Sequence, residues 1–300
     1  MIIKKLETLL QLAQKGEKRK VITAYAQDEN TLIALEKARN LGFVDPILVG
    51  DKDTIIEIIK KNNFEINHYN IIHEPDEAEA GRKSVELIND GEGDIIMKGL
   101  ISTDKYLKAI LNKEDGLMKP KATLSHVALV EVPSYHKLLV ISDAAFIPEP
   151  TVYQKIDIVR YVIETAHNLR IEKPKVALVS FTEKSNPKIV SCNDAAVIAK
   201  MGDRKQIKNA YIDGPLALDV AVDKESVKIK RIESEVAGDA DCLVFPNLES
   251  GNVFYKSMTK LANGEIAAYV AGTKVPAILP SRGDSDKSKL YSLALACLMV

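Results

Sequence analysis

Short runs rich in β-formers alternate with helical stretches along almost the whole chain, and this alternation limits the fold more than any other feature. Residues 20–26 form one such run. Asp28 then precedes a helical pattern carrying Leu32, Leu35, Ala38 and Leu41, which Gly42 ends. Further strands are expected at 46–50, 94–97, 126–132, 138–142, 176–181, 210–213, 242–246, 266–271 and 275–279. Helices are expected at 53–61, 103–111, 152–169, 194–201, 216–222 and 250–262, with a last one at the C-terminal end. Strands joined by helices pair in parallel, because a parallel crossover needs about a dozen residues or more. The expected fold class is therefore α/β, with mainly parallel sheets and helices on both faces.

A length of 300 residues suggests two domains. The Pro-rich stretch Phe146-Ile147-Pro148-Glu149-Pro150, before a long helix, marks the boundary. The closing strand and helix can return to the first domain. This gives one domain of residues 1–146 with 276–300 and a second of residues 147–275, with the active site in the cleft between them. Lys and Arg (41) nearly balance Asp and Glu (42), which argues against nucleic acid or a membrane surface as partner. No run approaches the roughly 18 apolar residues of a membrane span, and no export signal is visible in Met-Ile-Ile-Lys-Lys-Leu-Glu-Thr. Cys192, Cys242 and Cys297 are far apart and odd in number, as reduced thiols would be, and the five histidines are scattered. The chain reads as cytoplasmic, with no metal site expected.

Chemistry concentrates at the expected strand ends. Leu279-Pro280-Ser281-Arg282-Gly283 leaves an apolar run and enters the last helix, so a serine, an arginine and backbone N–H groups meet at a positive helix end. The same stretch also serves as an ordinary connection with Asp284 or Ser285 as N-cap. Lys98-Gly99-Leu100-Ile101-Ser102-Thr103 offers two hydroxyls to an anion, or a plain cap for the following helix. Asp213-Gly214-Pro215 reads as a turn into a helix, and Asn247 to Asn252 as a strand-to-helix turn. His126, at the edge of an apolar run, reads as a structural histidine. Neither G-x-G-x-x-G after a strand, nor a P-loop, nor a G-x-S-x-G elbow is present.

In their order along the chain, these segments resemble the phosphate acetyltransferase and phosphate butyryltransferase family. The resemblance rests on Met97-Lys98-Gly99-Leu100-Ile101-Ser102-Thr103, Leu124-Ser125-His126-Val127, Ser142-Asp143-Ala144-Ala145-Phe146 and Asn186-Pro187-Lys188. It continues through Asp213-Gly214-Pro215-Leu216, Ala237-Gly238-Asp239-Ala240-Asp241, Pro246-Asn247-Leu248-Glu249-Ser250-Gly251-Asn252 and Pro280-Ser281-Arg282-Gly283-Asp284-Ser285. The Leu-Ser-His-Val element and the ending Asp-Ser-Asp-Lys-Ser-Lys-Leu-Tyr-Ser are closer to the butyryl branch. The resemblance implies a two-domain fold like the isocitrate and isopropylmalate dehydrogenases. It also implies reversible conversion of a short-chain acyl-CoA and phosphate to acyl phosphate and CoA. Coenzyme A and phosphate would be substrates, with no resident cofactor, and a homo-oligomer, dimer or larger, is expected.

Site roles follow from the same resemblance. Ser281 and Arg282 would act on the reacting oxygens, while Gly99, Ser102, Thr103, Asp284, Lys260 and Asn252 would hold substrate. In the acetyltransferases an aspartate stands seven residues after the matching serine. Here that position is Ser288, so Asp284 and Asp286 compete for the role of base, with Asp286 favoured. Lys260 matches a family arginine, keeping the charge without the bidentate fork. Phosphate acetyltransferase is the alternative within the family. Outside it stand a dehydrogenase of the related fold, using NAD and a metal on Asp213, Asp239 and Asp241, and a binding protein without catalysis.

Overall fold

The computed structural model describes residues 2–281 and 284–300. In chain order the elements are α1 (Leu6–Ala13), β1 (Arg19–Ala24), α2 (Glu29–Asn40), β2 (Val44–Gly50), α3 (Lys52–Lys61), β3 (Asn70–His73), α4 (Glu77–Asn89), β4 (Ile95–Lys98) and α5 (Thr103–Ile110). Next come β5 (Ser125–Glu131), β6 (Leu139–Ser142), α6 (Val152–Asn168), β7 (Lys175–Val179), α7 (Val190–Asp203), β8 (Tyr211–Leu216), α8 (Leu218–Val222), α9 (Lys224–Lys230), β9 (Cys242–Val244) and α10 (Leu248–Lys260). The chain closes with β10 (Glu265–Ala271), β11 (Ala277–Ile278) and α11 (Asp286–Met299).

These elements form two compact units: Glu7–Leu124 with Ala267–Val300, called here the N-terminal unit, and Met1–Leu6 with Ser125–Ile266, called the central unit. Residues 1–6, 125–146 and 267–275 thus group differently from the expected division at the Pro-rich stretch. In the N-terminal unit the strand order is β3-β2-β1-β4-β11-β10, parallel except for the antiparallel pair β10–β11. In the central unit it is β5-β6-β9-β7-β8, parallel except for the pair β5–β6. The fold is α/β with mixed, mostly parallel pairing.

Local chemistry explains most boundaries. All four residues of β4 (Ile-Ile-Met-Lys) are buried, as expected of a parallel strand covered on both faces. Asp28 caps α2 by accepting the Thr31 N–H at 3.0 Å, and Gly42 follows that helix at φ +89°. Thr151 and Gln154 form a reciprocal capping box at the start of α6.

In the N-terminal half β3 and α4 lie outside the sequence-based expectation, as do α1, α9 and a short 3-10 turn at Ile66–His68. Helix α4 contains Gly81, and a Cβ there would lie 2.8 Å from Ile101 Cδ1, so the glycine permits close packing beside the β4–α5 connection. Asp213-Gly214-Pro215 is no turn. It continues β8, and Ala217 precedes α8 instead. Among the described residues, no helix is long and apolar enough to cross a membrane.

Candidate active site

In the N-terminal unit β1, β4 and β11 are parallel neighbours, with Ala24 opposite Lys98 and Ile278 opposite Met97. Their carboxyl ends therefore emerge side by side, where open α/β sheets bind ligands. Gly99 donates its N–H to Ala24 O at 2.9 Å, and Leu100 donates to Tyr25 O at 2.8 Å. A Cβ at Gly99 would sit 2.4 Å from Tyr25 O. Close approach of the two strand ends thus accounts for this glycine. Lys98 is buried, its Nζ 3.3 Å from Gly99 O.

Ser102 is the N-cap residue of α5 but makes no capping bond with its side chain. Its N–H donates to Glu77 Oε1 at 2.6 Å, and its Oγ is buried without a hydrogen-bond partner. Thr103, the first helical residue, is exposed.

The connection after β11 is organised by its own side chains. Ser281 N–H donates to Asp284 Oδ2 at 2.8 Å, and Asp284 N–H returns to Ser281 O at 3.1 Å. Asp284 therefore closes the turn, while Ser285 caps α11 by accepting the Ser288 N–H at 3.1 Å. Asp286 opens the helix with Oδ2 3.8 Å from Lys37 Nζ. Arg282 lies outside the described residues. The structure thus assembles Gly99, Ser102, Thr103, Ser281, Asp284 and Asp286 in one unit, on the connections leaving two adjacent strands.

Asn252 and Lys260 belong to the central unit. Asn247 caps α10, and Asn252 Nδ2 donates to Ala144 O at 2.9 Å. A Cβ at Gly251 would lie 2.1 Å from Asp143 O. The Asp143 carboxylate accepts N–H bonds from His126 (3.0 Å), Ala145 (3.2 Å), Phe146 (3.1 Å) and Ile147 (2.7 Å). The Asp143 carboxylate is thus engaged by four backbone N–H groups, three from the residues that follow it and one from β5. Lys260 is exposed and ends α10, about 12 Å of helical rise beyond Asn252. The two are not brought together.

Two of the three aspartates offered for a metal are engaged in ion pairs, and Asp213 accepts the Gly214 N–H at 2.7 Å. Asp239 pairs with Lys175 at 2.8 Å and Asp241 with Lys137 at 2.6 Å. Among the described residues no group of three or more His, Cys, Asp or Glu is placed to hold a metal ion. His126 is buried with Nδ1 unpartnered; burial pushes its pKa down, and the Asp143 charge opposes this only in part. A cavity of about 940 Å³ beside Lys173, Lys208 and Tyr211 lies at the amino end of β8; it is lined by Asp213 but by none of the residues expected to bind or transform substrate. Sequence reading gave no role of their own to Glu77, the buried Lys98 and the buried Lys289, whose Nζ lies 3.1 Å from Asp28.

The family model described as phosphate acetyl/butaryl transferase matches residues 75–297. This chain belongs to that family. A phosphate butyryltransferase of Clostridium acetobutylicum is 43% identical over 298 residues, covering 99% of both chains. A phosphate acetyltransferase of Thermotoga maritima is 39% identical, covering 98% of this chain and 99% of the other. The crystal structure of a branched-chain phosphotransacylase from Enterococcus faecalis V583 superposes with a TM-score of 0.82 at 34% identity. It covers 94% of this chain and 98% of that one. The family match includes every candidate residue named above, from Gly99 to Asp286.

Proposed function

We propose that this chain transfers a short acyl group reversibly between coenzyme A and inorganic phosphate, with butyryl-CoA as donor and acyl phosphate and CoA as products. The full-length likeness to the clostridial phosphate butyryltransferase carries this reading. The Thermotoga relative favours acetyl-CoA as the second candidate donor. A phosphate oxygen attacks the thioester carbonyl carbon; the C–O bond forms, the C–S bond breaks, and the thiolate departs to take a proton. Holding both reactants in position removes up to roughly 7–11 kcal/mol of barrier. No resident cofactor or metal enters this step.

In this reading Ser281 hydrogen-bonds the reacting oxygen. Arg282, assigned from its place in the sequence alone, supplies positive charge to phosphate and the developing oxyanion. The Ser102 and Thr103 hydroxyls receive phosphate, and their place at the start of α5 supports that assignment. Asp284 holds the Ser281 turn, and Asp286 takes the CoA thiol proton in the reverse direction. Asn252 and Lys260 have no step assigned. We also infer the two-domain architecture of the isocitrate and isopropylmalate dehydrogenases, a cytoplasmic location and a homo-oligomeric state, on family likeness.

The test is release of free thiol from butyryl-CoA with and without phosphate, beside acetyl-CoA. Phosphate-dependent release, faster with butyryl-CoA, is expected. Release independent of phosphate, or NADH formation from a hydroxy acid in its place, would overturn the reading.

A further inference from the structure

The turn that is to receive phosphate already faces an anion, and the anion belongs to the protein. Glu77, the first residue of α4, accepts the Ser102 N–H with Oε1 at 2.6 Å. Its Oε2 pairs with the ammonium of Lys105, in the first turn of α5. The Lys105 ammonium and the Ser102 N–H together hold the Glu77 carboxyl below the usual carboxylate range, so it is charged at neutral pH. A helix N-terminus favours such a charge for the same reason that it favours phosphate. A phosphate arriving at Ser102 and Thr103 therefore meets a full negative charge and a lysine already paired.

We propose that Glu77 sets the affinity for phosphate, keeping it weak by occupying the Ser102 N–H and by neutralising Lys105. It is a specificity-determining residue that takes no part in bond making. The proposal rests on the reading that phosphate binds at the Ser102–Thr103 turn. Weak ground-state capture has a physical logic. Tighter binding of phosphate that is equal in the ground and transition states lowers KM without raising kcat.

A plain brace between α4 and α5 makes a different prediction. Both partners of a brace, when neutralised, lose stability in the same direction and leave substrate affinity alone. Under the proposal they move phosphate binding in opposite directions. Glu77→Gln keeps an oxygen for the Ser102 N–H, removes the negative charge and releases Lys105. Lys105→Gln leaves the negative charge uncompensated.

The experiment varies phosphate at saturating butyryl-CoA and fixed ionic strength, following thiol release by the full chain. Glu77→Gln is expected to lower the phosphate KM about 3- to 10-fold, an effect of one charge at a partly solvated site. Its kcat and its KM for butyryl-CoA should stay within about twofold of the wild type. Lys105→Gln is expected to raise the phosphate KM by a similar factor. An unchanged or raised phosphate KM in Glu77→Gln overturns the proposal. Should that variant fail to fold, Lys105→Gln carries the test alone, and an unchanged or lowered KM overturns it. The double variant Ser102→Ala/Thr103→Val separates the underlying reading. If its phosphate KM equals the wild-type value, phosphate binds elsewhere and the proposal falls for that reason.

Discussion

Lys289 Nζ, on the last helix, lies 3.1 Å from Asp28 Oδ2, the carboxylate that caps α2. The lysine is 4% exposed and also meets Thr31 Oγ1 at 3.3 Å, so the pair locks α11 against α2 within the N-terminal unit. Burial acts to raise the Asp28 pKa, but the Thr31 hydroxyl and the Lys289 charge outweigh it and hold it below its ordinary value. Lys289→Met should therefore cost about 2–3 kcal/mol, because it leaves a half-buried carboxylate unpaired. Adding Asp28→Asn should return part of that loss. Urea unfolding of the two single variants and the double variant gives the coupling, expected at about 1–2 kcal/mol. A coupling of zero would mean that the two side chains act independently.

Gly99→Ala should disturb the β1 and β4 ends with no chemical group lost. Its Cβ would meet Tyr25 O and Ala24 O, which are backbone atoms held by two hydrogen bonds. Overpacking of this kind costs about 1–3 kcal/mol. The urea midpoint should fall, and the phosphate KM should rise because the Ser102–Thr103 turn follows directly. A variant as stable as the wild type would show that the strand ends separate easily.

Why some of this was legible and some was not follows from how far apart the partners lie in the chain. Asp28 with Thr31, and Gly42 after its helix, are local pairings that a sequence displays directly. The alternation of strands and helices is likewise local, and the parallel pairing follows from it. The β3 strand, Asn-Ile-Ile-His, is too short to announce itself, and α4 hides Gly81 in its interior. Ser102 is the N-cap residue of α5, as one of its two readings has it, but what satisfies that helix start is illegible for another reason. Its anion, Glu77, comes from 25 residues upstream, and nothing in Ser102-Thr103-Asp104 points to it. The role of Asp143 is hidden for the same reason, since its carboxylate accepts three local N–H bonds and a fourth from His126, seventeen residues upstream.

Asp239 should make a visible acid-stability contribution. Burial acts to raise its pKa, but the ammonium groups of Lys175 and Lys137 more than offset this and hold it at about 2, from an ordinary 3.8. A folded pKa below the unfolded one stabilises fully above about pH 4, and that contribution is lost as pH falls toward 2. Asp239→Asn should cost about 1–2 kcal/mol at pH 6. The gap to the wild type should narrow as pH falls to 2.5. A gap that stays constant would mean the lysines do not depress this carboxyl.

Arg282→Lys should keep the fold and lower turnover by roughly 10-fold or more, about 1.4 kcal/mol of transition-state stabilisation. A point charge cannot reproduce the bidentate grip of a guanidinium on phosphate. Circular dichroism and kcat measured together check this, and wild-type kinetics in the folded variant would remove Arg282 from the reaction.

Asp284 and Asp286 are expected to separate cleanly, because the structure gives them different attachments. Asp284 accepts the Ser281 N–H and so shapes the turn that carries the serine. Asp286 is the first residue of α11, and among the described residues its carboxylate has the distant Lys37 ammonium as its ion-pair partner. Asp286→Asn should slow the reaction of acyl phosphate with CoA most at low pH, where little thiolate forms unaided. The loss should shrink as pH nears the thiol's own pKa of roughly 8.5. Asp284→Asn should instead lower the rate by a factor that does not change with pH, since a misplaced Ser281 is misplaced at every pH. The rate measured from pH 6 to 9 distinguishes the two. If the Asp286→Asn profile runs parallel to the wild type, this carboxylate does not take the thiol proton, and general-base catalysis by this residue is wrong.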